Sequence, residues 1–321
     1  MDQANISLIL PRSLGTTSNE RGDLHRHGLT VIEHDPADRQ RLSYLATTRA
    51  GQRIYLNRDV VDADVVVLLG SVRYDGLLGY AGTASSVYPG LADEEARQRF
   101  RAQAGSVNVP AAQEQLRAQV EEVGWLLGAL FAVQVVRGPG NRVAALLAGS
   151  APAVQAAAQT QLDLLWQRSC HRRAELVVAG ISDGPWRQGF DQLGAAAAAA
   201  SMLAEPNGMV ALLSSVAQRP GPAIERCRQA MHPNVALRAA HESGAHDAVA
   251  ACQIAHAVQR ARIFLLSQLD RQLVADLFMT PLEDARQVQA LIDRARSCLI
   301  LNDAQLAPGT RATEQEGVQT A

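Results

Sequence analysis

Apolar positions along the chain follow two periods. Blocks of consecutive apolar and β-branched residues alternate with longer stretches in which apolar residues recur every three or four positions. The blocks predict buried strands and the stretches predict amphipathic helices. Strands are predicted at residues 6–10, 29–33, 65–69, 131–136, 143–147, 176–179, 209–213, 263–266 and 298–301. Helices are predicted at 93–103, 111–127, 152–166, 192–203, 222–231, 247–260 and 282–296. In the second of these helices Leu116, Val120 and Val123 share one face behind Pro110. The strands at 131–136 and 143–147 are joined by the turn Arg137-Gly138-Pro139-Gly140-Asn141. Strands alternating with helices predict parallel sheets. The expectation is therefore two α/β domains with mainly parallel sheets and a cleft between them. Pro152 opens a helix at the expected junction, so the domains are drawn at 1–155 and 156–309, with a polar, disordered tail at 310–321. The last strand, at 299–301, is expected to pack back on the first domain.

Composition narrows the function classes. The chain has 321 residues, 47% hydrophobic and 19% charged, with a formal net charge of -2. That balance gives no electrostatic case for nucleic acid or for an acidic membrane surface. No apolar stretch reaches membrane-spanning length; the nearest is the alanine run 195–200 within an ordinary helix. The start, Met1-Asp2-Gln3-Ala4-Asn5, is not that of a signal peptide. Cys170, Cys227, Cys252 and Cys298 are widely spaced and form neither a zinc pattern nor a compact disulfide framework, so reduced thiols in the cytoplasm are expected. All 30 cationic side chains are arginine. GC-rich codon usage accounts for that bias. Its chemical consequence is that no lysine Schiff base, nucleophile or cofactor tether can form.

Candidate chemistry gathers behind the apolar block Val65-Val66-Val67-Leu68-Leu69-Gly70, in the glycine-rich stretch from Gly76 to Gly90. Such a turn after a buried strand cradles a phosphate or organic anion, or is simply a tight connection that needs small residues; the motif by itself favours the second reading. Asp75, at the head of the turn, reads first as a turn former or helix cap and second as an acid–base group. His241, His246 and His256 are spaced by five and ten residues, which does not put them on one helix face. His25 and His27 lie in a polar segment and read as solvated. Asp183-Gly184-Pro185 is a turn signature, Cys252 a core thiol, and Arg97, Arg99 and Arg101 a solvated helix face.

Five pieces of sequence in a fixed order resemble the nickel-pincer-nucleotide lactate racemase family. They are His34-Asp35-Pro36 with the run Gly51 to Asn57; Gly79-Tyr80-Ala81-Gly82 with Pro89-Gly90; Ala148-Gly149-Ser150; Gly184-Pro185 with Gln192; and Gly244-Ala245-His246 ahead of Ile263-Phe264-Leu265-Leu266-Ser267. The resemblance implies a two-domain α/β fold and racemisation of a 2-hydroxy acid, in which histidines on opposite faces move the hydroxyl proton while hydride passes to and from a nickel-pincer nucleotide tethered to lysine. It also implies that Gly79, Tyr80, Gly82, Ser85 and Gln192 are cofactor-binding positions.

Several functional positions depart from that pattern. The tethering lysine's position holds Ser85, and the catalytic histidine ten residues earlier is Asp75. The early turn that should carry the second histidine is Arg12-Ser13-Leu14-Gly15, with Leu14 at that place. In the C-terminal motif a tyrosine becomes Asp191 and a lysine becomes Ala195. The family's N-terminal segment with its binding arginines is expected to be missing here; on one of the readings below a second chain supplies it. Asp75 is then the one catalytic residue the resemblance leaves, and neither a covalent tether nor a metal site is expected. The expected ligand is a small organic acid or nucleotide. The chain is either a divergent enzyme of the hydroxy-acid isomerase class, a non-enzymatic binding module, or one subunit of a split racemase-like complex.

Overall fold

A computed structural model describes residues 6–11, 29–107, 109–129, 131–167, 172–182 and 188–308. The turn with Leu14, His25 and His27, Cys170, Asp183-Gly184-Pro185 and the tail at 310–321 lie outside the described residues. Two principal sheets carry the fold. The first has four strands in the order Gly79–Ala81, Val67–Asp75, Phe131–Gly138, Arg142–Ser150. Its central pair is parallel and both outer pairs are antiparallel hairpins. The second sheet has five strands, all parallel, in the order Thr280–Leu282, Arg262–Leu266, Ala204–Leu213, Ala174–Gly180, Cys298–Leu301. The molecule is thus α/β with parallel-rich sheets, as the alternation of periods predicts.

Helix Ala151–Trp166 covers one face of the first sheet, where Ala158, Leu162 and Trp166 pack with Val72 and Val136. Residues 155 and 156, where the sequence draws the division, fall inside this helix. Helices Phe190–Leu203 and Ala248–Arg260 pack together in the second half. Alanine and Gly194 allow their close approach: a Cβ on Gly194 would sit 3.0 Å from the backbone of Ala250. The largest apolar cluster runs from Ile54 to Ala304 and draws on both halves.

The last strand does not pair with the first sheet. Cys298–Leu301 joins the edge of the second sheet beside Ala174–Gly180. The return comes just after it, where Leu306 enters the cluster with Val72 and Trp166 and the Asp303 carboxylate accepts from the Gly140 amide at 3.1 Å. The pattern had also missed the hairpin Leu42–Thr47 and Arg53–Asn57, the helices Pro233–Glu242 and Arg271–Asp276, and the short strand Thr280–Leu282.

The two stretches of the first resemblance motif meet in one contact. His34 ends strand Thr30–His34 and is buried; its Nε2 donates to the Ala92 carbonyl at 2.9 Å, and its Nδ1 faces the Asn57 amide at 3.4 Å, a tautomer assigned from these partners. Asn57 in turn caps helix Arg58–Val61 by accepting from the Asp59 amide. Burial holds the His34 pKa below its ordinary value, and burial does the same for His256. The neutral forms are therefore favoured in the folded state. Their stabilising contribution is complete above the unfolded histidine pKa of about 6.5 and is lost as pH falls below it toward the depressed folded values. Urea midpoints measured from about pH 8 down to about pH 5 should fall at the acid end, and less steeply in His34→Gln. Equal slopes in the two proteins would show that His34 does not carry the effect.

Candidate functional site

The glycine-rich stretch folds as a hairpin followed by a tight helical turn. Asp75 pairs with Gly79 in register, and its Oδ1 accepts from the Leu77 and Leu78 amides at 2.9 and 3.1 Å. That is the turn-forming use of an aspartate. Its Oδ2 lies 3.6 Å from the Arg73 guanidinium. Gly79 takes a positive φ of 70° at the end of the turn, and Gly82 adopts φ 146°, ψ 179°, a conformation open essentially to glycine alone. The Gly82 amide donates to the Ser85 hydroxyl at 2.8 Å, which opens the turn Thr83–Ser86. Ser86 closes that turn by donating to the Thr83 carbonyl. The Thr83 hydroxyl donates to Gln155 at 2.9 Å and so ties the turn to the covering helix.

Tyr74 and Tyr80 face each other across the hairpin, with ring centroids 5.4 Å apart. Both hydroxyls donate to the carboxylate of Asp163 on the covering helix, at 2.7 Å from Tyr74 and at 2.8 and 2.9 Å from Tyr80. Burial and then this carboxylate push the Tyr74 phenol far above its ordinary range and the Tyr80 phenol up to about 12. Neither phenol ionises at neutral pH. Sequence reading missed this cluster. The signal was there, since two tyrosines six residues apart around a glycine-rich turn are cross-strand neighbours once the segment is read as a hairpin.

The hairpin forms one wall of a cleft of about 280 Å³. Asp75, Tyr74, Gly79 and Tyr80 line this wall, and Ala195 and Ala198 of helix Phe190–Leu203 line the wall that belongs to the second half. The positions that the resemblance equates with a catalytic histidine and a lysine of the C-terminal motif are therefore brought to the same cleft. Gln192 lies one turn earlier on that helix and accepts from the Gly189 amide at 2.9 Å as a first-turn cap. Gly82, Ser85 and Gln192 are not among the cleft's lining residues. Asp191 remains open to solvent but is flanked by protein on several sides. That loss of bulk water raises its carboxyl pKa; Asp247 and Asp75 push it the same way, while His246 and Arg73 oppose. Asp75 and Asp191 thus lie within electrostatic reach of each other.

Elsewhere, Asp247 is buried and structural. Its two oxygens accept from the Ala223 and Ile224 amides, each at 3.0 Å, and so cap helix Pro222–Arg228. His241 contacts the Ala102 carbonyl at 3.2 Å. Among the described residues no three His, Cys, Asp or Glu side chains gather as a metal site, and Cys227, Cys252 and Cys298 are free thiols. No described helix is long and apolar enough to cross a membrane. A larger groove of about 750 Å³ lies beside Arg39, Arg53, Tyr55 and Glu94, but it holds none of the site residues read from the sequence. The chemistry points to the smaller cleft.

Residues 20–106 match the family model of the lactate racemase N-terminal domain. The whole fold aligns with the lactate racemase apoprotein from Thermoanaerobacterium thermosaccharolyticum at a TM-score of 0.81, over 95% of this chain and 78% of that one, with 16% identity. Residues 20–106 are thus similar to the lactate racemase N-terminal domain, and the fold of the chain is that of the lactate racemase apoprotein. A protein from Thermotoga maritima aligns at a TM-score of 0.66 and 13% identity, over 92% of this chain and 80% of that one. No curated protein matches the sequence.

The tethered cofactor that the lactate racemase resemblance implies does not fit the residues present. The chain has no lysine, and the hydroxyl at the tether position, Ser85, is already engaged by the Gly82 amide.

Proposed function

We propose that this lactate racemase-like protein binds a small hydroxylated ligand, of the hydroxy-acid type, between its two halves without a lysine-tethered cofactor. One observation carries the reading: Asp75 and Ala195, which the resemblance equates with functional positions on separate segments, line one cleft. Asp75 offers a single carboxylate there, half engaged in its own turn. Symmetric racemisation needs a proton acceptor on each face of the substrate carbon, and a leucine at the second position cannot serve as one. Binding, or chemistry that needs only one base, is what this residue set supports. A cleft-filling Ala195→Trp variant tests the site. Lactate and longer hydroxy acids should raise the melting temperature of the wild-type chain by a few degrees through linkage, and should leave the variant unmoved. Equal shifts in both proteins would place the ligand elsewhere.

A second reading, one subunit of a split complex, is favoured by an exposed apolar face of the first sheet that no described helix covers. Pairing sets Val67 beside Phe131, Leu69 beside Val133 and Leu146 beside Val135 on the face opposite the helix. Val67, Leu69, Phe131 and Leu146 are exposed there. A contiguous apolar sheet face is a place for a partner chain. On this reading Leu146→Glu abolishes a hetero-complex seen by native mass; a chain that never pairs during co-expression with candidate partners contradicts it.

A further inference from the structure

A hydroxy acid held in this cleft brings a carboxylate, and the hairpin wall it meets is rich in acceptors. Both phenols of the Tyr74–Tyr80 pair give their protons to Asp163. Asp75 adds a carboxylate of its own, with Oδ1 held by the turn amides and Oδ2 beside Arg73. These groups suit the ligand's hydroxyl, which donates. They do not suit its carboxylate, which needs a cation or several N–H donors. On the opposite wall stands Ala195, where the resemblance has a lysine, and alanine offers no charge.

Two arginines stand close to these lining residues. Arg73 is drawn to Asp75, 3.6 Å away. Arg117 is placed differently. It lies on helix Pro110–Leu126, one turn after Gln113. Both side chains run to Gly79, where a Cβ would sit 3.4 Å from the Gln113 Oε1 and 3.6 Å from the Arg117 Nη1. Gly79 and Gln113 both line the cleft. Tyr80 lines it too and senses the guanidinium: burial first and then Asp163 push its phenol up, and the Arg117 charge opposes them. Three lining residues thus place the guanidinium at this edge of the cleft. Arg117 is half-buried, yet among the described residues its guanidinium makes no hydrogen bond or ion pair. A partly buried cation without an anion gives up hydration with nothing in return. A ligand carboxylate supplies the two parallel acceptors that its planar fork matches. Gly79, already required by its positive φ of 70°, leaves room beside that nitrogen because it carries no side chain.

Resting on the binding reading above, we propose that Arg117 determines the specificity of the cleft by binding the carboxylate of a small hydroxy acid, while Asp75 accepts from its hydroxyl. Calorimetric titration of the full chain with lactate and with lactamide compares a carboxylate and a neutral amide on one skeleton. The wild-type chain should bind lactate at least about tenfold more tightly than lactamide. Arg117→Gln should lose at least about tenfold on lactate and keep its affinity for lactamide. Arg117→Lys restores the charge without the fork and should recover part of the loss. A merely structural arginine would weaken both ligands alike, and that result would overturn the assignment. A preference for lactate that survives Arg117→Gln, with binding abolished by Ala195→Trp, would also overturn it and leave the binding reading standing. So would equal affinity of the wild-type chain for the two ligands, abolished by the same cleft-filling variant. No binding of either ligand, or binding indifferent to Ala195→Trp, would sink both.

Discussion

Gly82→Ala should lower the stability of the protein by about 3 kcal/mol or more, among the largest effects of any single substitution outside the deep core. Two costs coincide at this residue. Its backbone, at φ 146° and ψ 179°, lies where a side chain is excluded by its own main chain. A Cβ would also come within 2.7 Å of a Val72 methyl, itself buried in the strand that leads into the hairpin. The damage reaches function as well as folding, because Gly82 fixes the exit of the strand that carries Tyr80. The variant should lose ligand-induced stabilisation together with its urea midpoint. A Gly82→Ala chain that melts within a degree of wild type would mean that the hairpin exit has been misjudged.

Asp247→Ala should cost a comparable amount, about 3 kcal/mol, for a different reason. The carboxylate satisfies two buried amides at once, Ala223 and Ile224, at the start of helix Pro222–Arg228. Removing it strands both donors, and alanine brings no water into a site closed by Gly221, whose own Cβ would collide with that carboxylate at 2.4 Å. Asp247→Asn keeps one acceptor and should lose roughly half as much. The contrast between the two variants, read in urea, separates the capping role from mere loss of volume. Equal losses would contradict it.

Much of this architecture is legible in the sequence. The apolar blocks at 176–179, 209–213 and 263–266 become the three central strands of the parallel sheet, because strands covered on both faces need no alternation with polar residues. The hairpin Leu42–Thr47 and Arg53–Asn57 was not legible as strands. Its residues mix Tyr44, Ser43, Arg53 and Asn57 among the apolar ones, and Tyr44 is exposed. Strand Cys298–Leu301 was legible as a strand but not by partner, since pairing is a long-range choice that local periodicity does not encode. At the site, the turn-forming use of Asp75 and the first-turn use of Gln192 follow from residue type and position. The Asp163–tyrosine cluster does not. It joins residues more than eighty positions apart through a carboxylate that looks, on its helix, like any surface aspartate.

The central claim is that a lactate racemase-like fold here holds a ligand cleft without a tethered cofactor. Its most direct test is to incubate the purified chain with the nickel-pincer nucleotide and record intact mass, bound nickel and lactate racemisation on the same sample. The account predicts the mass of the bare polypeptide, nickel well below one per chain and no racemisation. A covalent adduct carrying one nickel per chain, with turnover of lactate, would contradict it.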